Sequence, residues 1–329
     1  VSNHYTCAVV QNSGSHNPTV LEDVFLEGAT DKIWMDGEFV PWDEAKIHVL
    51  THSLHYGLGV FEGIRCYQTE RGSAIFRFEE HMRRLYDSAQ IVGLDAPVTQ
   101  DDFTEAVLET IRTNDMKACY IRPLIWLGYG SMGVNPKGSP THAMVAVWSW
   151  GAYLGEEGLA KGIRVKVSSF TSHHPNSYMT KAKTTGNYAV SQMAKLEAVG
   201  AGYDEALMLD PEGLVTQGSG ENIFIVRDGV LKTPPLHGVL GGITRDTVVQ
   251  LADEQGVELQ VAPFARDEVY VADEAFFTGT AAEVTPIREV DGRIIGSGEP
   301  GPVTKRIQSA FFEIVNGRDE SKLDWLTFI

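Results

Sequence analysis

With 329 residues, 43% apolar and 22% charged, the chain lies outside the compositional range of disorder and exceeds the usual single core, so two units sharing an interface are expected. Its 27 Lys and Arg face 44 Asp and Glu, and the net charge of −17 speaks against a nucleic-acid or membrane-surface role. Cys7, Cys66 and Cys119 are odd in number and lack CxxC spacing, which argues for free thiols in a reducing compartment rather than zinc or a disulfide framework. With no secretion signal legible at the start and no apolar run of roughly 18 residues, a cytoplasmic protein is expected.

Residues 1–30 read as an N-terminal extension without periodicity. Regular structure begins with Ile33-Trp34-Met35 and Glu38-Phe39-Val40 around Asp36-Gly37, a strong hairpin signal that recurs at Asp228-Gly229 and Asp291-Gly292. Helices are predicted over about 78–92, with Met82, Leu85 and Ala89 on one face, and about 100–114, with Phe103, Val107 and Ile111. Strands follow at Tyr120–Leu127 and Ala143–Trp150, then a Gly-rich connector, Gly151 to Gly155. Beyond it come a strand at 163–168, a helix over about 188–199 and strands near 205–209 and 222–227. A helix opening at Thr244, strands at 257–262 and 274–278 and a helix near 302–315 close the pattern. The domains read as a small α+β unit over 31–148, an interdomain loop over 149–160 and a larger unit over 161–329.

Gly128-Tyr-Gly130-Ser-Met-Gly133 matches GxGxxG, but it runs into Asn135-Pro136 instead of a helix and reads as a substrate-facing loop. His52 and His55, an i,i+3 pair without a carboxylate or Cys partner, read as packing, and no metal is expected. Lys181 and Lys183 lie in an uncharged stretch before a helix. Imine chemistry needs such a partly desolvated amine, although a solvated loop has the same pattern. Leu240-Gly241-Gly242-Ile243-Thr244 leads glycines into a helix whose first N–H groups can face an anion, Thr278-Gly-Thr280-Ala281 is a similar turn, and Arg65 offers a bidentate phosphate partner.

Several separated motifs resemble the branched-chain amino-acid aminotransferases, which are fold-type IV pyridoxal-phosphate enzymes. They include His55-Tyr-Gly57 with Phe61–Arg65, Tyr120-Ile-Arg122-Pro123, Met132-Gly-Val134-Asn-Pro136, Trp150-Gly-Ala-Tyr153, Lys183 with Gly186-Asn187-Tyr188, Gly218-Ser-Gly-Glu-Asn222, Gly242-Ile-Thr-Arg245 and Gly279-Thr-Ala-Ala-Glu283. The resemblance implies an α/β (α+β) two-domain fold with the cofactor on the larger unit. It implies Lys183 as the Schiff-base lysine and proton shuttle, Tyr188 on the cofactor phenolate, and Arg65, the Ile243 and Thr244 N–H groups and Thr280 on the phosphate. Tyr120 with the Thr280-Ala281 turn would hold the substrate α-carboxylate and Arg122 the side-chain carboxylate of glutamate. Met132, Val134, Trp150 and Tyr153 would shape an apolar pocket, partly across a dimer interface. The implied reaction moves the amino group of leucine, isoleucine or valine to 2-oxoglutarate by ping-pong transfer in a homodimer or dimer-based hexamer. Other members of the fold act on D-amino acids or (R)-amines.

One position departs from the family pattern. Gln217 stands where a glutamate pairs with the pyridinium nitrogen, and an amide can hydrogen-bond there but supplies no counter-charge. A slowed transaminase, or a cofactor-binding protein with weakened catalysis, is the corresponding expectation.

Overall fold

The structure, a computed structural model, describes residues 29–151 and 153–329; the extension expected over 1–30 lies, but for Ala29 and Thr30, outside them. The first Asp-Gly pair closes a hairpin in which β1 (Lys32–Met35) and β2 (Glu38–Pro41) run antiparallel with Met35 opposite Glu38. Asp36 and Gly37 both take positive φ, 51° and 100°, as a two-residue turn between right-twisted strands requires. Next come α1 (His52–Tyr56), β3 (Gly59–Phe61), β4 (Ile64–Thr69), β5 (Gly72–Phe76), α2 (Phe78–Ile91), α3 (Gln100–Thr113), β6 (Cys119–Leu127) and β7 (Thr141–Trp148).

These strands form one sheet in the order β5-β4-β6-β7-β1-β2. β3 and β4 lie end to end along the same edge of β6, Phe61 opposite Leu124 and Ile64 opposite Ile121. At the break between them the Glu62 N–H still donates to the Pro123 carbonyl at 3.0 Å. α2 and α3 bury the faces expected of them, Met82, Leu85 and Ala89 on one and Phe103, Val107 and Ile111 on the other, against this sheet's core. The Thr99 hydroxyl caps α3 by accepting from the Asp102 N–H.

The second half contains α4 (Glu156–Lys161), β8 (Ile163–Thr171), α5 (Tyr188–Gly200), β9 (Glu205–Leu209), β10 (Val215–Gly218), β11 (Asn222–Arg227), β12 (Val230–Thr233), α6 (Ile243–Glu254) and β13 (Leu259–Val261). It continues through α7 (Arg266–Tyr270), β14 (Glu274–Gly279), β15 (Glu283–Val290), β16 (Arg293–Ile294), α8 (Pro302–Val315) and β17 (Leu326–Phe328). The second sheet runs β10-β9-β8-β15-β14-β11-β12-β13, and β10 also pairs with β11 through Gln217 and Asn222. Six strands therefore close on themselves, around Val165, Leu207, Ile223, Phe277 and Ile287. β17 returns to the first sheet, where Leu326 faces Phe76, so the unit expected over 161–329 gives its last strand to the first half. Among the described residues no helix is long and apolar enough to cross a membrane.

Candidate functional site

A cavity of about 280 Å³ opens between the two sheets. The segment before α5 forms one wall because its backbone is pinned on both sides: Phe61 N–H donates to the Lys183 carbonyl, Thr185 N–H to Gly59 and Gly186 N–H to Gly57. Lys183 N–H donates to Ser88 Oγ at 3.0 Å, and Lys183 Nζ donates to the Tyr188 hydroxyl at 2.7 Å, 5.1 Å from the Phe61 ring centroid. Lys181 instead donates its ammonium to the Leu236 carbonyl and does not line the cavity, so of the two lysines Lys183 is the one that faces it.

The N-terminus of α6 forms one end. A helix's first N–H groups have no acceptor within the helix, and Gly242, the N-cap residue, offers no side chain to satisfy them. Ile243 and Thr244 line the cavity there. Gly242 is required by close approach, since a Cβ on it would meet Asn222 Oδ1 at 2.0 Å.

The cation at this end is Arg84, not Arg65. Arg84 lines the cavity and donates from Nη1 to the Gly241 carbonyl at 2.8 Å. Arg65 does not line it: its Nη2 donates to the carbonyls of Gly151 and Ala281, 2.8 and 3.1 Å away, and its Nη1 faces Glu283 at 3.7 Å. Through Nη2 the guanidinium staples the Gly151 loop to the Ala281 turn, while its Nε is buried without a partner. Burial raises the Glu283 carboxyl above its usual range.

At the other end, Tyr120 is buried on β6 against Trp148 and Trp150, with ring centroids 5.1 and 4.5 Å apart. Arg122, two residues on and facing the same side of the strand, has its guanidinium carbon 4.8, 5.4 and 5.7 Å from the ring centroids of Phe61, Tyr120 and Trp148. Its Nε is buried and has no hydrogen-bond partner. No carboxylate among the described residues pairs with it, an arrangement suited to an anion entering from the cavity. Trp150 and Tyr153 meet edge to face at 5.7 Å, and Thr280 and Ala281 complete this wall.

Gln217 lines the floor just after a β-bulge in β10, a device that re-aims side chains beside sites. Glu221 also lines it, fully buried, accepting from the Gly220 N–H at 3.0 Å. Burial, reinforced by Glu205, pushes its carboxyl up to about 8, so it is neutral at pH 7. Thr278 Oγ1 and Asn187 Oδ1, on residues that also line the cavity, are buried without a partner.

Met132 and Val134, expected to shape the pocket, do not line the cavity of their own chain; they are 41% and 89% exposed. The Gly128–Gly133 loop runs through turns into β7 without opening a helix, and His52 and His55 tie loop carbonyls of Gly133 and Val49. Arg84, Ser88 and Glu221 are not among the binding residues expected from the sequence, and Thr278 is expected there only as the start of the turn that carries Thr280. A usable signal existed for the first two: His81, Arg84 and Ser88 recur at i, i+3 and i+7, a polar stripe beside the apolar one on α2.

A profile of the family described as Amino-transferase class IV matches residues 59–290. The branched-chain-amino-acid aminotransferase of Pseudomonas aeruginosa is 54% identical over 297 residues, 90% of this chain and 97% of that one. The crystal structure of the T.th. branched-chain amino acid aminotransferase complexed with N-(5'-phosphopyridoxyl)-L-glutamate has a TM-score of 0.87 at 49% identity, and that complexed with 4-methylvaleric acid has 0.87 at 48%. Each covers 91% of this chain and 98% of the other.

Proposed function

Because this chain belongs to the class IV aminotransferases, pyridoxal-phosphate enzymes of fold type IV, we propose that it transfers amino groups from L-leucine, L-isoleucine and L-valine to 2-oxoglutarate, with the cofactor carried on Lys183. One observation carries the reading: a single cavity joins an amine, a free helix N-terminus and an unpaired guanidinium boxed by aromatic rings.

The residues fit the cofactor. The Ile243 and Thr244 N–H groups, the Thr244 and Thr280 hydroxyls and Arg84 supply donors for a phosphate, while Lys183 Nζ and the Tyr188 hydroxyl stand together at the reacting end. Arg65 acts on the phosphate end only through the Ala281 turn that it staples. When bound, pyridoxal phosphate supplies the carbonyl that takes up the amino group and the ring that spreads the electrons left on the substrate Cα.

Lys183 Nζ, held in place by its hydrogen bond to the Tyr188 hydroxyl, would move the proton at the substrate Cα. The Phe61 and Tyr188 rings, 5.0 Å apart, lie 5.1 and 5.2 Å from the amine and give it an apolar, cation-binding side. Tyr120 and the Thr280-Ala281 turn hold the α-carboxylate. Trp150, Tyr153 and Phe61 pack an aliphatic side chain, whereas the distal carboxylate of glutamate reaches Arg122. The phosphopyridoxyl-glutamate and 4-methylvaleric acid bound by the T.th. enzyme match these two demands.

The reading includes a homo-oligomer: Met132 and Val134 are exposed, as are Leu54 and Tyr129 on segments tied together by the Thr51–Tyr129 bridge and the His52–Gly133 bond, apolar surface suited to a second copy. Cys66 and Cys119, unbonded thiols at facing strand positions, favour a reducing cytoplasm. A second reading, weakened turnover, is favoured by a floor that presents the neutral Gln217 amide and a protonated Glu221 to the ring.

The test is titration of the holoenzyme with L-leucine and L-glutamate while its long-wavelength cofactor absorbance is followed. Both are expected to discharge it, and D-alanine and (R)-phenylethylamine are not. Discharge by D-alanine alone would replace the L-branched assignment, and no discharge by any of them would leave a binding protein.

A further inference from the structure

Glu62 is fully buried, lies in the break between β3 and β4, and is absent from the cavity wall although its neighbours Phe61 and Gly63 both line it. Its side chain points the other way, into α2. There the carboxylate accepts from Arg84 Nε at 2.6 Å on Oε1 and from Arg84 Nη2 at 2.8 Å on Oε2, a bidentate grip. His81 Nδ1 donates to Oε2 at 2.8 Å, and so does the Gly63 N–H at 3.2 Å. Burial lowers the His81 imidazole, which therefore contributes a hydrogen bond and not a second charge. Burial, the largest single influence, would raise the Glu62 carboxyl, but the Arg84 charge and the hydrogen bonds from His81 and Arg84 together outweigh it and hold the group well below the usual carboxylate range.

An ion pair at this depth is weak evidence of stabilisation, because desolvating two charges costs about as much as their attraction returns. What it does supply is direction. A guanidinium has five N–H groups; Glu62 takes one on Nε and one on Nη2, and the Gly241 carbonyl takes one on Nη1, which leaves one each on Nη1 and Nη2. The Arg84 side chain is held at both edges, with its free donors beside the Gly241-Gly242 turn that opens α6. The same helix turn reaches the amine's backbone: Ser88 Oγ donates to the Arg84 carbonyl at 2.7 Å and accepts from the Lys183 N–H at 3.0 Å.

We infer that Glu62 is a positioning residue for the cofactor's phosphate: by gripping Nε and Nη2 of Arg84 it aims the two remaining N–H groups at the anion held by the N-terminus of α6. This rests on the proposed role of Arg84 and deepens it. Without the Glu62 charge Arg84 keeps its own and its planar fork, but the side chain loses the bidentate anchor that fixes the plane, and a donor that must be oriented on binding contributes less.

The experiment compares apo-protein affinity for pyridoxal phosphate and for pyridoxal, which lacks the phosphate, in the parent, Glu62→Gln and Arg84→Gln. Glu62→Gln should weaken pyridoxal phosphate by about 10- to 100-fold, the range of one charge-assisted contact, and leave pyridoxal within about threefold. The double variant should be no weaker than Arg84→Gln alone. Equal weakening of both ligands by Glu62→Gln, or of neither, overturns the inference. If Arg84→Gln leaves the ratio of the two affinities unchanged, the phosphate role of Arg84 fails first and the inference with it, an outcome distinct from failure of Glu62 alone. Should Glu62→Gln not fold, judged by its thermal transition, Glu62→Asp keeps the charge one methylene short, and the same ratio decides.

Discussion

Lys183 Nζ donates to the hydroxyl of Tyr188, five residues further on in the first turn of α5, at 2.7 Å. The two are held from opposite sides, the lysine by backbone bonds to Phe61 and Ser88 and the tyrosine by the helix it begins. Lys183→Ala should abolish the cofactor's long-wavelength absorbance and reduce the rate to about a thousandth or less, the scale of a lost general base. Tyr188→Phe keeps the ring against Phe61 and loses one hydrogen bond, so kcat should fall about tenfold with little change in Tm. Retained absorbance in Lys183→Ala would move the attachment to Lys181.

Removing Arg122 should separate the two proposed substrate classes. Its guanidinium has aromatic faces around it and no carboxylate partner among the described residues, so removing it should hurt only a substrate that brings a carboxylate there. Arg122→Gln should raise KM for glutamate and 2-oxoglutarate by about 10- to 100-fold and change kcat/KM for leucine by no more than about threefold. Parallel losses for leucine and glutamate would mean that Arg122 acts through packing.

Much of this site is legible in the chain because its parts are local. Asp36-Gly37 needs only its own φ angles, Lys183 precedes a helix within five residues, and the Gly241-Gly242 entry announces the open end of α6. Arg84 is different: its placement comes from hydrogen bonds to Glu62, 22 residues away, and to Gly241, 157 away, pairings that no spacing encodes. Arg65 is as able as Arg84 to offer a phosphate a bidentate guanidinium, yet the carbonyls of Gly151 and Ala281 meet it first. β17 is three residues long and exists through its ladder with β5, beyond the reach of periodicity.

Gln217 invites a gain of function. The floor of the cavity has no ionised carboxylate facing the ligand, since Glu221 is protonated at pH 7 and Glu205 is engaged by Lys195 at 2.7 Å. Gln217→Glu would add one anion, push Glu221 further toward its neutral form and give a protonated ring nitrogen its counter-charge. The initial rate with L-leucine should rise about tenfold, one pKa unit's worth of differential stabilisation. A rate unchanged or lower would mean that the Gln217 amide does not limit turnover.

Glu221 also sets a pH dependence of stability with a definite sign. Its carboxyl is raised from an ordinary 4.5 to about 8 in the folded protein, so between those values the folded state holds a proton that the unfolded chain has lost. Stability therefore falls as pH rises from about 4.5 to about 8 and levels off above, the reverse of a salt-bridged carboxylate. Replacing the carboxyl with an amide removes the titration while keeping a donor and acceptor in the same space. Glu221→Gln should raise Tm relative to the parent by a margin that is small at pH 5 and grows through pH 8. The apo-protein is the form to melt, because a bound ligand adds its own linkage. A margin that is flat across this range would mean that Glu221 is ionised in the folded protein and that the floor of the cavity carries the negative charge that Gln217 lacks.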